Sequence, residues 1–223
     1  MKKILGLLVM VFAISGCDRN GFLEITGLKE KITNVIQIRH DIVYLPNSDV
    51  PFTGKYETYY VNGQKKREIY YKDGKKNGLT IGWYENGQKD SKTNYQDGKE
   101  HELATLWYEK NGQKESETRY QDDKENGLAT RWYEKGNKES EISYNEGKKN
   151  GLATEWYEDG RKESEITYED GQKNGLDTSW YEDGRKENET IYENGQKGSE
   201  TNYAAEADQK GSETNHVNLE VGI

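Results

Sequence analysis

The one residue whose type and position together predict a covalent modification is Cys17, the only cysteine in the sequence. It follows a basic start, an apolar run that ends at Ile14, and the two small residues Ser15 and Gly16. This order is typical of a cleaved secretory signal, and the apolar run is too short for a permanent transmembrane helix. A single thiol leaves no disulfide within the chain.

The tetrad Ile14-Ser15-Gly16-Cys17 resembles the bacterial lipobox, at which the cysteine is diacylated and the chain is cleaved before it. The alternative is an ordinary cleaved signal with a leftover thiol. We expect residues 1–16 to be a lipoprotein signal peptide and Cys17 to be the lipidation site, with palmitate as an acyl group. Several acyl chains anchor a protein stably, since each buried CH₂ contributes about 0.8 kcal/mol. The predicted localisation is the cell envelope, with the protein lipid-anchored on the extracytoplasmic side of a membrane.

Residues that could form a metal or catalytic site are scattered. His40, His101 and His216 lie in unrelated contexts, and the acidic residues lack the spacing of a calcium loop. Carboxylates such as Glu115 and Glu117 lie two residues apart, which in a strand predicts one solvated polar face. We therefore expect no metal, no cofactor and no catalytic residue, and we predict that the protein is not an enzyme.

Charge and composition restrict the partners and the shape. Lys and Arg number 32 against 41 Asp and Glu, so the formal net charge is -9. Nucleic-acid binders need a net basic face, so we expect no nucleic-acid partner, and membrane contact only through the N-terminal lipid. Hydrophobic residues make up only 31% of the chain, which predicts a thin, elongated body instead of a thick core.

Aromatic residues recur at a fixed period. The five tryptophans are spaced 24, 25, 24 and 24 residues apart, and a column of tyrosines has the same period. The tryptophans are Trp83, Trp107, Trp132, Trp156 and Trp180. The tyrosines are Tyr71, Tyr95, Tyr120, Tyr144, Tyr168 and Tyr192. A constant period in this range is typical of a repeat protein, in which each unit buries its apolar residues against its neighbours.

Each repeat is predicted to be a β-hairpin. Asn-Gly or Asp-Gly pairs separate strand-like runs, as at Asn62-Gly63 and Asp159-Gly160, and predict type I′ turns. Longer links such as Asp73 to Gly78 are predicted to join one hairpin to the next. The predicted fold class is all-β: an elongated, single-sheet antiparallel β-meander of about six hairpin repeats of 24 residues.

Side-chain alternation divides the repeat unit into two sets. Matching apolar residues across the hairpin places Leu152, Trp156, Ile166 and Tyr168 on one core face. The tryptophans are therefore interpreted as structural repeat residues, with direct ligand contact as the alternative. The candidate binding residues are expected on the opposite face. They are Tyr84, Tyr108, Tyr133, Tyr157 and Tyr181, together with Arg131 and Glu155 at the variable position before tryptophan.

Composition also predicts the domain boundaries. Residues 17–50 hold many of the aliphatic side chains and should form a lipid-anchored segment and cap, with strands at 34–39 and 41–45. Residues 51–203 should form the repeat ribbon. Residues 204–223 form a degenerate C-terminal tail, and fraying or disorder is expected beyond Tyr192.

The unit from Trp156 to Gly175 resembles the bacterial variant of the MORN repeat, and the likeness runs from Phe52 to about Tyr203. The stretch around Pro51 is similar to the start of exported members, some of which are described as antitoxin-like lipoproteins. Glu102 and Asp123 replace glycines of the pattern, which puts local turn geometry in doubt. The resemblance implies a β-meander that serves as a scaffold or binding surface, and fold likeness alone does not supply a function.

The sequence therefore predicts a non-enzymatic, lipid-anchored envelope protein whose repeat ribbon is a protein-binding scaffold. A protein is the expected partner. Two alternatives stay open: an antitoxin-like neutraliser of a partner toxin, which the resemblance suggests, and a glycan-binding surface protein, because aligned aromatic residues can stack on sugar rings.

Overall fold

The computed structural model describes residues 23–25, 28–30 and 36–203. Cys17, the predicted signal peptide and the predicted C-terminal tail lie outside these residues. Within them the secondary structure is entirely β. The eighteen strands are β1 (Leu23–Ile25), β2 (Leu28–Glu30), β3 (Gln37–Arg39), β4 (Ile42–Tyr44), β5 (Gly54–Tyr59), β6 (Lys65–Lys72), β7 (Lys75–Trp83), β8 (Lys89–Gln96), β9 (Lys99–Trp107), β10 (Lys114–Gln121), β11 (Lys124–Trp132), β12 (Lys138–Asn145), β13 (Lys148–Trp156), β14 (Lys162–Glu169), β15 (Gln172–Lys173), β16 (Gly175–Trp180), β17 (Lys186–Glu193) and β18 (Gln196–Asn202).

One antiparallel sheet of 14 strands holds β5 to β18 in chain order. Each strand pairs with the strand before it and the strand after it, except that β15 pairs only with β14 and β16 continues the path. Successive hairpins therefore form a single-sheet meander, which confirms the predicted fold class. The pairs β1–β2 and β3–β4 are separate two-stranded sheets.

The two kinds of turn are the reverse of the prediction. At Asn62-Gly63 only the glycine has a positive φ, and its N–H donates to the Tyr60 carbonyl, which is the pattern of a type I turn closed by a glycine bulge. At Asp73-Gly74 both residues have positive φ, 50° and 74°, as a type I′ turn requires. The predicted longer links are thus the two-residue turns, and the Asn-Gly turns are the longer loops.

The faces of the sheet also differ from the prediction. Ile142 lies opposite both Ala129 and Ala153, whereas Leu128 lies opposite Ser143. Residues directly opposite each other share a face, so isoleucine and leucine point to different sides. We call the side with Ile142 the front face and the side with Leu128 the back face.

The same division holds for the four residues that were predicted to share one core face. Leu152 pairs with Thr167 on the back face, where Trp156 also lies, whereas Ile166 pairs with Ala153 on the front face. Tyr168 pairs with Gly151, also on the front face. That prediction is wrong because the turn and a bulge shift the pairing by one residue, and a one-residue shift moves every side chain to the other side.

A β-bulge near the start of each returning strand causes this shift. Arg131 pairs with Ser140 but Trp132 pairs with Lys138, so Glu139 is the extra residue. The register shift between Lys114 and Ser116 leaves Glu115 in the same position. Glu115 is therefore not beside Glu117 on one face, as alternation alone predicts.

Burial is slight, as the composition predicts. The buried hydrophobic residues in the described part of the chain are Val43, Ile69, Tyr71, Ala153 and Ile166. Several leucines on the back face are about half exposed, including Leu152 at 49%. The sheet is held together by strand pairing and by contacts between successive units more than by a central core.

The N-terminal cap covers a turn and part of the front face. Val43 packs with Ile69 and Tyr71, and its N–H donates to the carbonyl of Gly74 at 2.9 Å. Strands β3 and β4 are the predicted hairpin in shorter form, but they do not pair with β5. The described part of the cap therefore does not extend the large sheet beyond β5.

The sheet continues one strand beyond the expected point of fraying. Strand β18 pairs with β17, and Tyr203 follows it in the position that tryptophan holds in earlier units. The Tyr203 hydroxyl donates to the Glu189 carboxylate at 2.5 Å. The repeat pattern thus extends through Tyr203 although the tryptophan is absent.

Candidate functional site

A row of tyrosines and carboxylates runs along the front face beside the glycine-bulge loops. Each unit contributes the tyrosine after its tryptophan position and the bulge residue of its returning strand. The tyrosines are Tyr60, Tyr84, Tyr108, Tyr133, Tyr157 and Tyr181, and the carboxylates are Asp90, Glu115, Glu139, Glu163 and Glu187. We call this set the tyrosine–carboxylate row. In the first unit Lys66 takes the place of the carboxylate.

The tyrosine hydroxyls connect successive units. Tyr108 donates to the carbonyl of Trp132 at 2.6 Å, and Tyr133 donates to that of Trp156 at 2.8 Å. Tyr60, Tyr84 and Tyr157 make the same bond at 2.6 to 2.7 Å. Tyr84, Tyr108, Tyr133 and Tyr157 were predicted only as binding candidates, so the structure adds a structural role for their hydroxyls. Their binding role stays a prediction.

The tyrosines of the four middle units lie between the carboxylates of two successive units; they are Tyr84, Tyr108, Tyr133 and Tyr157. Burial raises the pKa of the Tyr133 hydroxyl, and the negative charges of Glu139 and Glu163 raise it further. Burial likewise raises the pKa of Tyr108, with a further contribution from Glu115 and Glu139. The row is therefore an alternation of aromatic rings with negative charges.

The carboxylates of the two faces differ in their pairing. On the back face, Lys114 Nζ forms an ion pair with Glu117 Oε1 at 2.6 Å, and Lys138 forms the corresponding ion pair with Glu141. Lys162–Glu165, Lys186–Glu189 and Lys65–Glu68 repeat this pair. Among described residues, the one ion pair of the row joins Glu139 Oε2 to Arg131 Nε at 4.0 Å. The carboxylates of the row therefore lack the lysine partners that these back-face carboxylates have.

The front face contains a depression at the centre of the row. Its volume is about 460 Å³, and its lining includes Arg131, Tyr133, Glu139, Glu155 and Glu163. Three of the predicted binding residues, Arg131, Tyr133 and Glu155, are thus brought together. Tyr84, Tyr108, Tyr157 and Tyr181 lie elsewhere along the row. The bulge residues were missed in the sequence because carboxylates such as Glu115 and Glu117 were interpreted together as one solvated polar face.

The tryptophans lie on the back face, where a lysine of the preceding unit is placed over each ring. Lys138 Nζ is 5.5 Å from the centroid of Trp156, and Lys162 Nζ is 5.7 Å from that of Trp180. Trp83, Trp107 and Trp132 have the same contact at 5.4 to 5.7 Å. Such cation–π contacts and the tyrosine bonds to their carbonyls give the tryptophans contacts with neighbouring units.

Asparagines of the glycine-bulge loops provide another contact between units. Asn86 Oδ1 accepts from the N–H of Gln88 at 2.9 Å, and its Nδ2 donates to the carbonyl of Glu109 in the next loop at 3.0 Å. Asn62 and Asn111 make the corresponding bonds. Sequence reasoning assigned these asparagines to turn formation alone. The 23-residue interval between donor and acceptor was the signal that could have revealed the second bond.

The histidines within residues 36–203 do not lie together. His40 and His101 belong to different sheets, and no group of three His, Cys, Asp or Glu side chains in the described chain could hold a metal ion. Nδ1 of His101 is buried without a hydrogen-bond partner among the described atoms. The described residues include no helix that could cross a membrane.

Four segments of the chain match the model of the family described as MORN repeat variant: residues 52–73, 76–97, 125–146 and 149–170. No curated protein matches the chain. The unmatched unit between the second and third segments contains both glycine replacements, yet Glu102 and Asp123 keep positive φ values of 62° and 67°. Its hairpin therefore retains the local geometry that the replacements put in doubt. The four matched segments and the continuous meander support a MORN-repeat protein.

Proposed function

We propose that this chain is a non-enzymatic, lipid-anchored envelope protein whose front face binds another protein. The observation that carries the proposal is the difference in charge pairing between the two faces. Back-face carboxylates are paired with lysines of the chain, whereas the row carboxylates have one long ion pair among described residues. Unpaired charges next to aromatic rings are the features through which proteins steer and recognise partners.

Rigid support for the row favours binding over a purely structural role. Each tyrosine is fixed by its bond to the next unit, and each carboxylate is fixed at a bulge. A surface that is ordered before binding loses less conformational entropy when a partner docks. The depression lined by Arg131, Tyr133 and Glu155 gives such a partner a concave area to fill.

The lipid anchor is proposed from the sequence around Cys17. Full-length chain would be expressed with an alkyne-tagged fatty acid, and the label on the wild type would be compared with that on Cys17→Ala. We expect label on the wild type only, and partition of the wild type into detergent. Equal labelling of both chains would contradict lipidation at Cys17.

Site-specific crosslinking tests the binding face. A photoreactive residue would replace Glu155 on the front face or, as the control, Leu152 on the back face; both side chains are exposed and three positions apart. In native envelopes we expect one discrete crosslinked partner from position 155 and none from position 152. Crosslinking from position 152 alone, or from neither position, would count against front-face binding.

The antitoxin-like and glycan-binding functions stay predictions from the sequence. No contact among the described residues favours either of them. The tryptophans that suggested sugar stacking are half-buried on the back face beneath lysines.

A further inference from the structure

The spacing of the tyrosine–carboxylate row restricts which partner segment can match it. Equivalent residues of successive units are two strands apart, and neighbouring strands lie about 4.8 Å apart, so the carboxylates recur roughly every 9.6 Å. An extended segment that crosses the strands along the row would need a basic side chain at the same interval. The conformation of that segment then decides which of its residues can meet the row.

A polyproline II helix fits this interval and a β-strand does not. Polyproline II has three residues per turn and rises about 3.1 Å per residue, so every third side chain points the same way at roughly 9.3 Å. In a β-strand, side chains on one side recur about every 6.7 Å, which falls out of step within one unit. The remaining mismatch for polyproline II, about 0.3 Å per unit, is small beside the length of a lysine side chain.

The first unit contains an internal example of the expected contact. Lys66 occupies the bulge position there, and its Nζ lies 5.2 Å from the centroid of the Tyr60 ring. In the later units a carboxylate replaces this lysine. Each later tyrosine is therefore accompanied by negative charge instead of a cation from its own unit. A cation supplied by a partner would meet both an aromatic ring and a carboxylate.

We propose that the tyrosine–carboxylate row binds a segment of a partner protein in polyproline II conformation that carries Lys or Arg at every third residue. Aromatic grooves bind this conformation in several protein families because its backbone is already ordered before binding. Here the carboxylates would in addition select segments that carry a basic residue at every third position. This inference rests on the proposed protein-binding function and specifies the partner.

Synthetic peptides test the spacing directly. A labelled peptide of Pro-Pro-Lys triplets would be titrated with the full chain in mild detergent, and an isomer with the same lysines grouped at one end would be the control. We expect the triplet peptide to bind about tenfold more tightly, since it engages several carboxylates at once. Its affinity should fall as salt is added. Equal affinity of the two peptides would overturn the inference.

Matched variants locate the site on one face. Glu115→Gln, Glu139→Gln and Glu163→Gln, combined, remove three row carboxylates. Glu117→Gln, Glu141→Gln and Glu165→Gln remove the same charge from the same strands on the back face. We expect the front-face variant to lose about tenfold in affinity for the triplet peptide and the back-face variant to lose little. A similar loss in both variants, with folded circular dichroism spectra, would overturn the proposal.

A third variant gives an effect in the opposite direction. Arg131 supplies the one cation that pairs with a row carboxylate in the described chain. Arg131→Ser, which copies the serine at position 179 of the last unit, should raise the affinity about two- to threefold. An unchanged or lowered affinity would contradict the charge argument.

Front-face protein binding and recognition of a basic polyproline II segment can be contradicted separately. A partner crosslinked from position 155, together with no preference for the triplet peptide, would reject the basic polyproline II segment and leave front-face binding supported. Selective binding of the triplet peptide without any crosslinked envelope partner would support the recognition chemistry and count against the proposed function.

Discussion

Single hydroxyl groups account for much of the connection between units. The Tyr108 hydroxyl bonds to the Trp132 carbonyl across a full repeat, and its aromatic ring is half-buried. One hydroxyl therefore joins two hairpins that are 24 residues apart in the chain. The energetic weight of this bond can be measured by removing the hydroxyl and keeping the ring.

Tyr108→Phe should lower the free energy of unfolding by about 0.5–1.5 kcal/mol, because a hydrogen bond to a backbone carbonyl is lost. Urea unfolding followed by tryptophan fluorescence measures the change. Tyr181→Phe is the control, since its hydroxyl lies 3.4 Å from its acceptor and the site is more exposed. Equal effects of the two substitutions would contradict a specific contribution of the Tyr108–Trp132 bond to the free energy of unfolding.

Tyr95 is expected to ionise late in an alkaline titration. Burial, followed by the charge and hydrogen bond of Glu100, raises its pKa to about 12. The unfolded chain ionises this hydroxyl near pH 10, so its contribution to stability is complete below pH 10 and is lost as the pH rises through about 12. Ultraviolet titration of tyrosinate should show a late step that Tyr95→Phe removes. A wild-type titration without that step would contradict the assignment.

At the scale of strands and turns, the cap places an additional demand on the glycine of the turn that it covers. Gly63 has a φ of 84° and nothing within 4 Å of an added Cβ. Gly74 has a φ of 74°, and an added Cβ would lie 2.3 Å from Ile42 Cγ2 and 2.9 Å from the Val43 carbonyl oxygen. The cap thus depends on the missing side chain at Gly74.

Gly63→Ala should destabilise the protein by about 1 kcal/mol through backbone strain alone. Gly74→Ala adds a clash with the cap, so it should cost several times as much and release the β3–β4 hairpin. Amide hydrogen exchange at Val43 checks the release, because its N–H bonds to the Gly74 carbonyl. Retained protection of Val43 in Gly74→Ala would contradict the predicted packing.

The sequence predicts the elements better than it predicts their faces. The 24-residue period, the hairpins and the single sheet follow from the aromatic columns and the glycine pairs. The face of Glu139 does not follow, since the bulge adds one residue to a strand whose pattern reads as regular alternation. The separation of Ile166 from Leu152 has the same origin, because register depends on turn geometry that neighbouring residues do not reveal.

The candidate site was predicted only in part, because it also depends on the bulges and on the register of the strands. Arg131, Glu155 and Tyr133 were selected from the sequence, and they line one depression. The bulge carboxylates were treated as ordinary solvated charges. Their unpaired state depends on where the lysines of the opposite face reach, as Lys138 reaches Glu141, and that is a property of the folded sheet.

At the scale of the whole molecule, each unit contacts mainly its neighbours, so the sheet should tolerate loss of an entire unit. Deletion of residues 124–147 joins Asp123 to Lys148. The two-residue turn Asp122-Asp123 is then again followed by a lysine that begins the next strand. The shortened chain should fold, with a urea m-value lower by about one sixth because less surface is exposed on unfolding.

Deletion of residues 136–147 is the matched control, since it removes a single returning strand. The two strands beside it run in the same direction in the native sheet, and the short link that remains cannot connect them as parallel neighbours. Circular dichroism should show a folded sheet for the longer deletion and loss of structure for the shorter one. Folding of both chains to the same degree would contradict a sheet built from independent hairpin units.

Equal intervals along the tyrosine–carboxylate row have a consequence for kinetics. A ligand that spans three of the five carboxylates has three equivalent registers, which improve its apparent free energy of binding by about 0.6 kcal/mol without any new contact. Such a ligand can move by one repeat while its other contacts hold. Lys66 ends this movement at the first unit, because a cation there repels the ligand. A bound ligand could then move along the row from unit to unit, but not onto the first unit.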